Sequence, residues 1–454
     1  MSAAETSVMS DWYDAEQRVE RARELFEMEQ WPEALAEIDA ALEMNPYNAA
    51  WHCNRGYILD QLGRLEEAAR SFEQAVHLDP NDKEARLALG MDLTRLNRCA
   101  QALAAFEALE RIDPSFEPAY CQRIATYTQM GQHDRAEEMF YLAQQLSEDC
   151  PDCFYNIGRS LLARGLQDKA TYCFKRCLDL DSEYPDVRRT LGRIYRQRGD
   201  VETAREFYLA ELRQDPGDVD LLGEMGEMFL EAGQTAQAAE KFRQMIELEP
   251  DNATGYALNA RAAMLQGDWN QAIESLETVL ALDPNWEDVH GLYGEALLHA
   301  GRYADAKLQF EAQLFSHADD LAAMMGLGMA LLEMGQARQA SQYFSKVIAR
   351  RPEDPSGYFH MALCQFAQGK IHAGIALCLR TIQIDPRHLH ALQQLVLAYG
   401  RLGRWSQARK VLDHALKAYP LDPALTHLKR EWWYSKTLWL VRQVRRTLTG
   451  WFHR

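Results

Sequence analysis

Small and bulky apolar residues recur along this chain at an interval far longer than a helical turn. The pattern returns every 34 residues without an insertion. Twelve repeats begin at Ala15, Ala49, Lys83, Glu117, Pro151, Pro185, Val219, Ala253, Glu287, Leu321, Pro355 and Leu389, and the last ends at residue 422. Such self-similarity marks a repeat architecture, in which one unit cannot bury its own apolar face and stacked neighbours bury it together.

Four positions show what each unit is. Position 20 is Ala in every repeat but one, from Ala34 to Ala408, with Gly374 the exception. Position 8 is Gly or Ala in ten repeats (Gly56, Gly90 and Gly158 among them), with Ile124 and Val396 departing. Glycine inside a helix costs about 1 kcal/mol relative to alanine, so its recurrence points to a close helix crossing. Position 24 is a large apolar residue in nearly every repeat, as in Phe72, Phe106, Phe140, Phe174, Tyr208, Phe242, Phe310 and Phe344, which would fill the space beside the small ones. Gly at position 15 in ten repeats stops one helix and turns the chain back, and Pro at position 32 in nine ends the next. Each repeat therefore reads as helix, glycine turn, helix, proline turn, and the fold class as all-α. Composition agrees: 47% hydrophobic and 26% charged residues suit amphipathic helices.

These residues resemble the tetratricopeptide repeat family, with small 8, Gly 15, Ala 20, aromatic 24 and Pro 32 recurring in phase over residues 15–422. The resemblance implies a right-handed α-α superhelical solenoid whose first helices line a concave groove. Residues 423–430 open a further helix in phase, expected to act as a C-terminal capping helix, and residues 1–14 are expected to be a tail or partial cap. The function it implies is that of a non-enzymatic scaffold or adaptor holding peptide segments of partner proteins in the groove. No cofactor is expected.

No pattern of catalytic residues competes with this. Gly369-Lys370 is followed by Ile371 and lacks the upstream glycine of a phosphate loop, and no His-Glu-x-x-His or glycine-flanked serine elbow occurs. Sugar-transferring enzymes that carry such repeats resemble a ladder of asparagines at position 6, where only Asn54 and Asn156 stand here. Net charge is −18, but the last thirty residues carry +6, leaving −24 on the rest. So acidic a body would repel phosphates, and no nucleic-acid partner is expected.

If the resemblance holds, positions 2, 5, 9, 12 and 13 face the groove. No lysine occupies position 5, so a clamp for the acidic tails of chaperones is not expected. Repeats five and six place Arg159, Arg189, Arg193 and Arg196 there beside Tyr155, a set suited to an acidic peptide, since guanidinium forks pair with carboxylates. The alternative is that each arginine pairs with a neighbouring acid. Repeats eight to eleven instead place Met264, Leu298, Met325, Met329, Leu332, Phe359 and Phe366 there, which would suit an apolar strand or amphipathic helix unless packing hides them.

Two features lie outside the repeat logic. Cys150 and Cys153 form a Cys-Pro-Asp-Cys, followed by Cys173 and Cys177, loosely spaced as a four-thiolate zinc site or a redox pair. The plainer reading is that these are buried small hydrophobes. The last residues, 431–454, hold four of the ten tryptophans, and a helix there would gather Trp433, Leu440, Val444, Leu448 and Trp451 on one face opposite arginines. That face either lies on an anionic membrane surface or extends the cap. A membrane contact would suit an assembly or co-chaperone factor tethered by its tail. With no secretory signal pattern and no long apolar run, the expected location is cytoplasmic, or peripheral at a membrane.

Overall fold

The computed structural model describes residues 3–430, and among them there is no strand. They form two compact bodies, which divide between Asp215 and Pro216. The first holds α1 (Ala3–Glu27), α2 (Trp31–Met44), α3 (Ala49–Gln61), α4 (Leu65–Leu78), α5 (Lys83–Arg95), α6 (Cys99–Ile112), α7 (Glu117–Gln129), α8 (His133–Leu146), α9 (Pro151–Ala163), α10 (Gln167–Leu180), α11 (Val187–Gln197) and α12 (Val201–Leu212). The second holds α13 (Val219–Glu231), α14 (Thr235–Leu248), α15 (Ala253–Gln266), α16 (Trp269–Leu282), α17 (Val289–His299), α18 (Tyr303–Ser316), α19 (Leu321–Glu333), α20 (Ala337–Arg350), α21 (Pro355–Ala367), α22 (Ile371–Ile384), α23 (Leu389–Arg401) and α24 (Trp405–Ala418). Residues 423–430 open one more helix.

Within each body the first helix of a repeat packs on its own second helix, which packs in turn on the next repeat, giving an all-α repeat solenoid. The small-to-aromatic contact is the reason. A Cβ added to Gly56 would lie 2.5 Å from the Phe72 ring, and one on Gly158 would lie 2.8 Å from Phe174. Gly226 and Gly328 meet Phe242 and Phe344 in the same way. Those rings are fully buried, and each removes enough apolar surface from water to stabilise the fold by about 2–3 kcal/mol. Repeat four departs. Ile124, wholly buried, occupies the glycine's place, and Phe140 is only partly buried and meets Phe154 edge-on at 5.5 Å.

The turns follow from backbone chirality. All ten position-15 glycines sit at φ between 69° and 78°, the left-handed region that L side chains avoid. The two repeats without glycine force Glu29 and Asn97 into it, at φ 59° and 60°. Several first helices are capped at the preceding residue, with Asn48, Asp82, Asp218, Asn252, Asp320 and Asp354 each accepting from a first-turn amide.

Three boundaries differ from expectation. α1 starts at Ala3, well ahead of Ala15, so the N-terminal segment continues the first helix rather than preceding it. α11 and α17 start two residues inside their repeats, because Asp186 and Asp288 take left-handed conformations, φ 61° and 57°. Among the described residues no helix is long and apolar enough to cross a membrane. Trp433, Leu440, Val444, Leu448 and Trp451 lie outside the described residues.

Candidate functional site

The residues expected on the groove separate into three fates. In the first body, Tyr155 is half-buried with the exposed Arg159 guanidinium 5.8 Å from its ring centre, and burial holds its hydroxyl above its ordinary pKa. Arg189, Arg193 and Arg196 each already have an interaction partner. The neighbouring Arg188 lies 3.7 Å from Glu211. The arginines are thus not a set held free for an incoming carboxylate.

In the second body, Phe359 and Phe366 are corrections to the groove assignment. Phe359 is buried, its ring 4.8 Å from the His388 ring, whose Nδ1 accepts from the Ala391 amide and so caps α23. Phe366 turns onto its own second helix, where Gly374 replaces the usual alanine and leaves room for the ring. The size pairing of small and aromatic residues is kept there, with the partners exchanged. Met264 and Leu332 are half-buried against the core.

Leu298, Met325 and Met329 come together. They line a cavity of about 520 Å³ enclosed by α17, the inner side of α18 and α19. Its walls add Leu292 and Phe310, and two glycines open it. Gly291 stands where most repeats carry a side chain. Gly326 lets α19 approach the Phe310 ring so closely that a Cβ there would collide with it. The rim is acidic: among the described residues, Asp288, Glu295 and Asp320 border the cavity with His299, and no lysine or arginine lines it. Gln313, buried at 3% exposure, ties the rim together. Its Nε2 donates to Asp288 Oδ1 at 2.8 Å and to Asp320 Oδ2 at 3.2 Å. His299 is held by stacking on Trp269, ring centres 4.3 Å apart. The acidic rim was not read from the sequence; the signal for it was the glycine at position 5 of repeat nine, followed by aspartate at the next cap.

A second cavity of about 340 Å³ has the same place in the first body, between α1 and α3, lined by Val19, Phe26, Tyr57 and Ile58 with Arg23 at its edge. Both cavities lie between successive first helices.

The cysteines divide differently from the expected set. Cys150 and Cys153 meet Cys121 and Glu117 from the preceding repeat, one donor atom from each lying within 4.8 Å of the others. Cys173 and Cys177 face the core from α10, at 7% and 0% exposure, and are not part of that group. Burial pushes the Cys173 thiol up to about 11 and the Cys177 thiol up to about 12, as befits thiols serving as small hydrophobes.

Comparison with known proteins decides the family. Models described as tetratricopeptide repeat match residues 19–83, 56–115 and 155–219, and again 229–296 and 297–363. The chain belongs to the tetratricopeptide repeat family. A model for the anaphase-promoting complex, cyclosome, subunit 3, also matches this repeat protein at residues 333–415. A TPR repeat-containing thioredoxin of Arabidopsis thaliana, TTL4, is 29% identical over 104 residues, which are 21% of this chain and 15% of that protein. The chain thus aligns with only a small part of that relative's length. Among solved structures, the APC/C hetero-tetramer Cut9–Hcn1 aligns with 95% of this chain and 99% of that one at 12% identity and a TM-score of 0.45. Yeast Tom70 aligns with 92% and 99% at 15% identity and a TM-score of 0.35.

Proposed function

We propose that this TPR protein is a non-enzymatic scaffold whose second body binds a peptide segment carrying an apolar side chain next to lysine or arginine. The observation that carries the reading is the cavity at Leu298, Met325 and Met329, with a floor of Phe310 and a rim of Asp288, Glu295 and Asp320. A leucine, methionine or aromatic side chain seated there would contribute about 2–3 kcal/mol by burial. The unbranched methionines adapt to more than one shape. The carboxylates set what can flank it: a cation is drawn in and speeds encounter, while an acidic neighbour is repelled. One such anchor supports only weak binding, so useful affinity requires further contacts along the same peptide.

A peptide-display selection against the full chain tests this. Selected sequences should pair an apolar residue with Lys or Arg. Met329→Glu should lose them, and Glu295→Lys should weaken them most at low salt. Recovery of acidic sequences, or retention of the selected ones by Met329→Glu, would refute the proposal.

A further inference from the structure

The first body contains a side-chain cluster that peptide binding does not use. Glu117 opens α7, and Cys121 follows one turn later on the same face. Cys150 is the N-cap of α9, and Cys153 lies in that helix's first turn. The first helices α3 and α5 carry asparagine and aspartate at the cap, Asn48 and Asp82. Here a sulfur has that place, with Cys150 Sγ accepting the Cys153 amide at 3.2 Å. The three sulfurs and a carboxylate oxygen converge: Glu117 Oε1 lies 2.9 Å from Cys121 Sγ and 3.0 Å from Cys153 Sγ, and Cys150 Sγ lies 3.1 Å from Cys121 Sγ. The cysteines are buried, at 2%, 7% and 1% exposure for Cys121, Cys150 and Cys153.

Cys121 and Cys153 stand as a disulfide, with Cα atoms 5.1 Å apart. A disulfide accounts for two of the four donors and leaves the others unexplained. Its sulfurs carry no proton, so neither can donate to the Glu117 oxygen that presses against both. Three sulfurs and one carboxylate oxygen are, by contrast, the donor set and number of a tetrahedral zinc site, drawn as two residues from each of two helices. An amide donating to a ligand sulfur, as Cys153 does to Cys150, is what orients such ligands.

We propose that Glu117, Cys121, Cys150 and Cys153 bind one zinc ion through three thiolates and a carboxylate when Cys121 and Cys153 are reduced, and that their disulfide is the oxidised, metal-free form. A dithiol reductant supplies the two electrons and two protons that split the S–S bond, and becomes a disulfide itself. Zinc then displaces three thiol protons to solvent as the three Zn–S bonds form. The ion joins α7 to α9, and so fastens repeat four to repeat five.

The test uses the full chain, purified in a phosphine reductant and dialysed against Zn2+ or Co2+. Elemental analysis should find one zinc per chain, and cobalt should give the intense sulfur-to-metal charge-transfer band of a tetrahedral thiolate centre. Cys150→Ser should abolish both, Glu117→Gln should lower zinc affinity at least tenfold, and Cys173→Ser should retain both. Oxidation with diamide before cobalt is added should suppress the band. Because a cysteine variant could fail to fold, the wild type carries its own check: a chelator should lower the melting temperature of the reduced protein and leave that of the oxidised protein unchanged. Reduced, helical wild type with no metal and no cobalt band overturns the proposal, as does equal cobalt binding by oxidised protein or loss of metal in Cys173→Ser.

Discussion

Glu29 is the residue whose replacement should most directly reveal the role of the glycine turns. It is an exposed side chain in the left-handed region, φ 59°, where ten other repeats place glycine. Holding an L-residue there costs about 1–2 kcal/mol. Glycine removes that cost but adds about 0.5–1 kcal/mol of unfolded-chain entropy. Glu29→Gly should therefore stabilise the α1–α2 pair by about 0.5–1 kcal/mol. Hydrogen exchange followed by mass spectrometry should show slower exchange of peptides from residues 15–44, with peptides from the second body unchanged. Glu29→Ala separates the causes, since alanine keeps the backbone strain while losing the carboxylate, and it should give no such gain. Asn97→Gly should gain less than Glu29→Gly. Asparagine tolerates this conformation, and its Oδ1 accepts from Gln129 Nε2 at 3.2 Å. Equal protection by the alanine and glycine variants at 29, or faster exchange in Glu29→Gly, would refute the backbone argument.

Two pH dependences follow from buried titratable groups. Asp92 is 2% exposed, and its carboxyl is pushed up to about 7, by burial first and by Asp60 second, against the opposing pull of Arg95. Its folded pKa exceeds the unfolded value near 3.9, so this contribution to stability is full below that value and lost as pH rises to about 7. Asp92→Asn should accordingly raise stability at pH 8 by about 1–3 kcal/mol and by less at pH 5, measured by urea unfolding; equal gains at both would sink the assignment. His360 is held at about 4, chiefly by burial, with His388 and His390 adding to the effect and Asp354 opposing it. Here the folded pKa lies below the unfolded one, so stability present above about pH 6.5 is lost as pH falls toward 4. His360→Phe keeps a ring against Phe344, whose centroid is 5.3 Å away, and should flatten the melting temperature between pH 7 and pH 4.5. An unchanged acid slope would contradict it.

The repeat was legible because it rests on sterics that each residue states locally: glycine under an aromatic ring, glycine at a left-handed turn, an acid or amide at a cap. What escaped depended on which repeats touch. Closeness in sequence groups Cys150 with Cys173 and Cys177, whereas packing α9 on α7 brings positions 1 and 5 of one repeat to positions 34 and 3 around the next start. Glu117 and Cys121 meet Cys150 and Cys153 for that reason. Position number alone puts Phe366 on the groove. The clue that it turns inward was Gly374, which broke an otherwise unvarying alanine column. The cavity at Leu298 was half legible: its apolar residues stood at groove positions, but the acidic rim came from cap aspartates that sequence alone ranks as structural. Gln313 draws Asp288 and Asp320 together, and only the packed structure shows it.

Site-directed photo-crosslinking tests the proposed peptide site most directly. A benzophenone amino acid placed at Met329, in the full chain, would be irradiated with a labelled selected peptide carrying a leucine between lysines. The same photoreactive residue at Leu308, 61% exposed on α18, serves as the comparison. The account predicts a crosslink from position 329 that excess unlabelled peptide suppresses, and little from position 308. Equal labelling from both positions, or labelling from 308 alone, would contradict it.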